Sequence, residues 1–269
     1  MSRWFFLFSQ WFKRDLGGRY RGSWLGLAWP ILQPLAQISV FTLVFHFFMN
    51  MRWPLAGVAF DQDPGGTSVL SATEYGLNVL AGLAVFNFFA EVLSRSPSAI
   101  ISQPSLVTKV RFPLALLPIV TAAVAMLHIL SAFCIASVVL AILGKISWVM
   151  LWAIAWLIPI ALYGLGLSLI LASVGVYVRD IGQIMPAVNS LLMFLTPIFY
   201  PLNAIPLQLR GLFEANPLAW ASESLRQILL NNQNLVFSDW VTHFFISAAV
   251  CGAAIVLFRG LQRGFADVL

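Results

Sequence analysis

The sequence predicts an all-α membrane protein of six transmembrane helices, and three observations carry that prediction. Hydrophobic residues make up 60% of the 269 residues and charged residues only 9%, where a water-soluble domain carries about 25% charge. The mean hydropathy is +0.89. The apolar residues are gathered into runs, several of them at or beyond the ~20 residues that a helix needs to cross a bilayer core. The basic residues collect in alternate connecting segments, as orientation in a membrane requires. The expected spans are at about residues 25–49, 75–93, 114–143, 148–178, 184–200 and 240–258, preceded by an interface helix over residues 1–24.

The amino-terminal stretch holds Trp4, Phe5, Phe6, Leu7, Phe8, Trp11 and Phe12, an apolar run too short to span and too aromatic for a solvated tail. Joined to Lys13, Arg14, Arg19 and Arg21, it is expected to lie as a helix in the cytoplasmic interface. From Trp24 to Met49 there is no formal charge. A secretory signal peptide also pairs a basic flank with an apolar core, but that core is only about 7 to 15 residues long. Here the run is longer, carries Gln33 and Gln37 and ends in FHFFMNMRW, so a retained first span is expected, with the amino terminus inside. Pro30 and Pro34 remove two helix donors, predicting a kink near the entrance of that span.

Arg52 to Glu74 contains Asp61, Asp63 and the turn signal Pro64-Gly65-Gly66, and is expected as the first external loop. After the second span, Ser94 to Pro113 interleaves Arg95, Lys109 and Arg111 with Ile100, Ile101, Leu106 and Val107. Pro97 and Pro104 are placed to start short helices, so this cytoplasmic loop is expected to carry a small amphipathic one. The third and fourth spans are joined by only Gly144-Lys145-Ile146-Ser147, and their length predicts tilt or protrusion. Arg179-Asp180 turns the chain into the fifth span. Pro201, Pro206 and Pro217 then break the pattern, and Leu207 to Phe213 and Leu218 to Leu230 are expected as two short re-entrant helices at the outer surface. The sixth span ends at Arg259 and Arg263. This layout leaves only Arg52, Lys145, Arg210 and Arg226 of the 15 basic residues outside, which puts both termini in the cytoplasm. The sequence shows no internal repeat, so a symmetric pore would need a second copy of the chain.

The formal charge of +5 is accounted for by these basic flanks, and no nucleic-acid partner is expected. Cys134 and Cys251 lie far apart in apolar runs, which suggests neither a disulfide nor a metal site. His46, His128 and His243 are isolated and nearly all carboxylates sit in loops or at span ends, so no catalytic residue, metal or cofactor is expected in this chain. Gly144-Lys145 lacks the rest of a phosphate-binding loop. If ATP and Mg drive transport, they belong to another polypeptide.

Buried amides are the more informative polar groups, because they are costly in lipid and should face protein or a wet cavity. Trp29, Gln33, Gln37 and Phe41 recur every four residues in the first span, and Met185, Asn189, Met193, Thr196 and Tyr200 form a similar stripe in the fifth. Two readings stand side by side. The stripes hold helices together by hydrogen bonds worth about 1 kcal/mol or less, or they line a conduit whose rings and amides suit the apolar faces and hydroxyl edges of sugars.

Arg14-Asp15-Leu16, Arg19-Tyr20-Arg21-Gly22-Ser23, Leu25-Gly26, Trp29 and Pro34 closely resemble the entry motif of the permease subunits of type-2 ABC exporters for polysaccharides, which carry O-antigen, capsule or teichoic acid chains. Ser105-Leu106-Val107, Lys109-Val110, Phe112-Pro113 and Pro118 resemble that family's ATPase-docking loop, and Glu214-Ala215-Asn216-Pro217-Leu218 with Arg226 its outer re-entrant helices. The resemblance implies a homodimer of permeases in a bacterial inner membrane with two ABC ATPase subunits, a channel bounded by first and fifth spans, and a periplasmic export partner. It makes Arg95, Ile100, Ile101, Leu106, Lys109 and Arg111 candidates for the ATPase interface. Arg14, Arg19 and Arg21 become candidates for receiving a lipid diphosphate or acidic sugar head, with contact to anionic lipid, about 1 kcal/mol each, as the alternative. The loop from Arg52 to Glu74 is longer than a minimal connection in that family. A small-molecule permease of the same superfamily, or an intramembrane enzyme, are the rival classes.

Overall fold

The computed structural model describes residues 3–49, 51, 53, 69–109, 112–202 and 205–269, without the side chains of 3, 27, 69–71, 212 and 214. Most of the expected external loop and Arg111 fall outside these residues. The described secondary structure is helical. It comprises α1 (Arg3–Tyr20), α2 (Trp29–Phe41), α3 (Val69–Arg95), α4 (Pro104–Thr108), α5 (Leu116–Ala125), α6 (Leu127–Ile142), α7 (Trp152–Tyr177), α8 (Ile181–Leu195), α9 (Leu207–Glu214), α10 (Pro217–Leu229), α11 (Phe237–Leu261) and α12 (Phe265–Val268). Among the described residues five stretches are long and apolar enough to cross a membrane: Trp29–Phe48, Ala72–Ser98, Leu116–Ile142, Trp148–Tyr177 and Phe237–Val268.

The expected fifth crossing, residues 184–200, is shorter than the sequence implied. α8 has 15 residues, or about 22 Å at 1.5 Å per residue, against a hydrocarbon core of about 30 Å. The stripe that was expected to run helically to Tyr200 breaks at Thr196, whose backbone is extended. Pro197 explains the break, because a proline disfavours helical backbone in the residue before it.

Helix α3 is the hub. Val85, Phe88 and Val92 are fully buried along it, packed against α6, α7 and α10 in the main core, while Val79 packs with Ile198 and Phe199. By contrast α2 lies at the edge, with Ile31, Leu35 and Val40 exposed. Pro30 occupies the first turn of α2, where a missing N–H costs nothing, and Pro34 sits inside it. The irregular part of this span is its far end, where Thr42–Phe48 widens into a π-helix.

The two ends of α3 define the two ends of the bundle. At the Glu74 end, Lys145 Nζ lies 2.9 Å from Glu74 Oε1 and pins the short α6–α7 connection. At the Arg95 end, α1 lays Leu7, Phe8, Trp11, Phe12 and Leu16 on Leu116, Val120 and Val124 of α5. Trp4, Phe5 and Phe6 are left exposed on α1, as an interfacial helix would leave them. The end of α11 and α12 close the same end, where Phe258 and Phe265 pack with Ile100 of the α3–α5 connection.

Candidate functional site

The polar stripe of α2 changes character along its length. Trp29 is exposed and donates from Nε1 to Ser23 Oγ at 2.6 Å, and Gln33 is exposed. Gln37 is half-buried and its Oε1 accepts a 3.0 Å bond from Asn87 Nδ2 of α3. Phe41 packs 4.6 Å from Phe199, which also stacks on Phe45 at 4.8 Å. Thus the Arg95 end of the stripe faces outward from the chain, and the Glu74 end is closed by the segment that follows α8.

On α8 the stripe turns inward. Met185 is buried, Met193 is half-buried, and Asn189 Nδ2 donates to Ser94 Oγ at 2.8 Å and Ala90 O at 3.3 Å, both on α3. Thr196 is fully buried, and Tyr200 donates back to Phe194 O at 2.6 Å. So within one chain Gln37 and Asn189 fasten α2 and α8 to α3. α8 presents Gln183 and Ser190 away from the chain together with the apolar Ile184, Pro186, Leu191, Phe194 and Leu195. A spacing of four names a face but not what the face looks at.

The segment Ser94 to Pro113 has the two proline-started turns expected of it, Ser96–Ser98 and α4. Its start is bolted to α7: Ser96 Oγ donates to Ser168 Oγ at 2.8 Å, and Ser168 Oγ to Pro118 O at 2.9 Å. A Cβ on Gly175 of α7 would collide with the Pro97 carbonyl, so only glycine permits this approach. Ile100 is fully buried and Ile101 and Leu106 pack partly against the same cluster, so these three anchor the loop. Pro104, Ser105, Thr108 and Lys109 are exposed, and form the face that a partner can reach. Arg95 is half-exposed at the head of the loop.

Arg226 is the residue whose environment the sequence concealed most. It is 1% exposed. Its Nε donates to Asn78 O at 3.0 Å, its Nη2 to Pro197 O at 2.7 Å and Ile198 O at 3.0 Å, and its Nη1 pairs with Glu223 at 3.3 Å. The guanidinium also lies 4.3 Å from the Trp53 ring. The Glu223 carboxylate is the charge that faces it. The guanidinium thereby ties the Pro197 and Ile198 carbonyls, just past the end of α8, to the Asn78 carbonyl of α3. Asn216 completes that junction, since its Oδ1 accepts from the Leu218 N–H at 3.0 Å, capping α10, while its Nδ2 donates to Leu195 O at 3.1 Å. Pro217 takes the first helical position of α10. Glu214 ends α9, and its side chain is outside the description.

At the opposite end of α3, sequence inspection missed Glu91. This carboxylate, 19% exposed, pairs with Arg19 of α1, with Arg95 Nε at 2.6 Å and with His128 Nε2 of α6 at 3.8 Å. Arg19 also holds Asp15 at 3.0 Å and is only 8% exposed, so its charge is turned into the protein. Arg14 and Arg21 remain exposed. The one available signal was a carboxylate four residues before Arg95 in an otherwise apolar span. Among the described residues no group of His, Cys, Asp or Glu could hold a metal ion.

A bundle of apolar helices around a buried hub, with polar clusters confined to its two ends, defines a multi-pass membrane protein. Residues 7–230 match the ABC-2 type transporter family, and the chain belongs to that family. It is therefore the membrane subunit of a transporter, and membership implies an ABC ATPase partner. Two O-antigen export system permease proteins RfbA of Klebsiella pneumoniae are 25% and 24% identical over 267 and 264 residues. Another from Myxococcus xanthus is 28% identical over 263 residues. Each alignment covers 95% of this chain and 92% of the relative.

Proposed function

We propose that this chain is the transmembrane subunit of an ATP-driven exporter that moves a lipid-linked surface polysaccharide across a bacterial inner membrane. The observation that carries the reading is end-to-end similarity to O-antigen export permeases, covering 95% of this chain and 92% of each relative. In this reading the Glu74 end is external, the Arg95 end is cytoplasmic, and both termini lie inside. Two copies of the chain face each other through α2 and α8, each of which turns polar side chains outward, Gln33 and Ser39 on the first and Gln183 and Ser190 on the second. Trp29 and Gln33 of one wall and Gln183, Ser190, Leu191 and Phe194 of the other then alternate rings, amides and hydroxyls along the passage. Such a lining binds a sugar chain by many weak contacts and lets it slide. Gln37 and Asn189 set the walls on α3 rather than touching cargo directly, while Phe41, Thr196 and Tyr200 shape the outer mouth.

The α9–α10 pair, held by Arg226 and Asn216, is a short re-entrant hairpin that completes the crossing α8 cannot make by itself. Two ABC ATPase subunits, holding ATP and Mg, dock on the exposed face of α4 and on Lys109 and Arg111, and a periplasmic partner receives the polymer. Because Ser96 is bolted to α7 and Arg95 to Glu91, closure of the ATPases pushes directly on the spans. Deleting the chain from its host is expected to remove the polysaccharide from the cell surface while polymer accumulates inside, with restoration by the intact gene. Unchanged surface polysaccharide, with altered tolerance of small toxic compounds, would favour a small-molecule permease.

A further inference from the structure

Helix α4 is too short to hold itself in place. It has five residues, and the Gln103 side chain at its start makes no capping bond, whereas isolated helices of fewer than ~12–15 residues are marginal in water. Its order therefore comes from what its inner side rests on. Leu106 and Val107 pack into the cluster that holds Ile100, Leu117, Phe258 and Phe265, while Pro104, Ser105, Thr108 and Lys109 stay exposed. Phe265 is the contribution of α12, which lies against α4 and α7, and it is wholly buried. The chain reaches this position through the turn Gln262–Gly264. Tyr177 at the end of α7 donates from Oη to Leu261 O at 2.7 Å. A Cβ on Gly264 would stand 2.6 Å from that same Oη, so glycine is what lets the turn close against the tyrosine. The Phe265 ring then sits 6.0 Å from Tyr177 and 5.8 Å from Phe258 of α11.

We propose that α12 positions the ATPase-docking helix, with Phe265 holding α4 against the ends of α7 and α11. A load placed on α4 by the ATPase is then delivered through Phe265 to Phe258 of α11, beside the route from Ser96 to α7. Both routes converge on the pair α7 and α11, so the two longest spans after α3 move as one body. This rests on the reading of α4 as the ATPase dock, yet the hold of α12 on α4 is measured without the ATPase, so the two fail separately.

The test uses the full-length chain in detergent micelles, with Cys134 and Cys251 replaced by alanine and nitroxide labels at Thr108→Cys of α4 and Arg179→Cys beyond α7, both exposed positions. The parent is expected to give a narrow distance distribution, Phe265→Ala one about twofold broader, and Phe265→Leu, which refills most of the volume, a narrow one again. Gly264→Ala drives a methyl against Tyr177 without emptying the cluster; it is expected to broaden the distribution as well, and serves if Phe265→Ala does not fold. Detergent melting identifies the folded variants. Capture of the ABC ATPase that co-purifies with the chain from its host is expected to weaken about tenfold or more in the broadened variants and to return in Phe265→Leu. A narrow distribution in the folded variants Phe265→Ala and Gly264→Ala overturns the hold of α12 on α4. A broad distribution with undiminished ATPase capture contradicts α4 as the dock.

Discussion

At the Glu74 end of α3 a buried cation, Arg226, is surrounded by fixed backbone carbonyls; at the Arg95 end a largely buried anion, Glu91, is shared among side chains from α1, α3 and α6. Backbone carbonyls inside α3 and in the segment after α8 cannot rearrange without unfolding that junction. Side chains on three different helices can exchange partners as those helices slide. The first arrangement is a permanent fastening, the second an exchangeable one, and they stand at the ends that the transport reading assigns to the outer mouth and the motor. A charge buried among single-purpose acceptors is costly to disturb, whereas one shared by several partners can lose any one at modest cost.

The largest expected effect breaks the permanent fastening. Arg226→Ala leaves the Asn78, Pro197 and Ile198 carbonyls without their donor and should cost about 3 kcal/mol or more. The check is the detergent melting temperature, or loss of folded protein from the membrane. Arg226→Lys should not rescue it, since a single ammonium cannot serve divergent carbonyls as a guanidinium does. Gly82→Ala probes the same junction from α3, because its Cβ would stand 2.7 Å from Arg226 Nη2 and 3.0 Å from Ile198 Cα. Overpacking of this kind costs about 1–3 kcal/mol, measured by the same melting curve.

The exchangeable cluster should respond differently. Glu91→Gln removes the charge that Arg19 and Arg95 share, and is expected to lower stability by less than Arg226→Ala while loosening α1 from α3. Spin labels on exposed Lys13 and Ser94 should report a broader distance distribution, and an unchanged distribution would show that this end is as fixed as the other. The smallest effect is expected at Gln37→Leu. It removes one interhelical bond to Asn87, worth about 0.6 kcal/mol in comparable membrane helices.

Much of this architecture was legible because backbone chemistry is local. Pro97, Pro104 and Pro217 marked helix starts that the structure shows in place, and the α9–α10 pair appears within a residue or two of where prolines bracketed it. What was not legible is long-range. Glu91 and Arg19 are separated by most of two helices and a loop, and nothing local pairs them. Asn189 sits on a polar stripe in the sequence, but its orientation depends on Ser94 across the bundle. Ile100 stood among the docking candidates through the family resemblance, and its burial depends on Phe258 of α11 and Phe265 of α12, far along the chain, packing in the same cluster. The early end of α8 was signalled by Pro197, yet the apolar run continuing to Tyr200 concealed it.

Chemical blocking of the walls tests the exporter reading most directly. In a host whose surface polysaccharide depends on this chain, with Cys134 and Cys251 replaced by alanine, single cysteines would be placed at Gln33, Ser190 and Met185. A bulky maleimide is expected to halt surface display through Gln33→Cys and Ser190→Cys, and to leave Met185→Cys, a buried position, unaffected. Full surface display after complete labelling of Gln33→Cys and Ser190→Cys would contradict a passage bounded by α2 and α8.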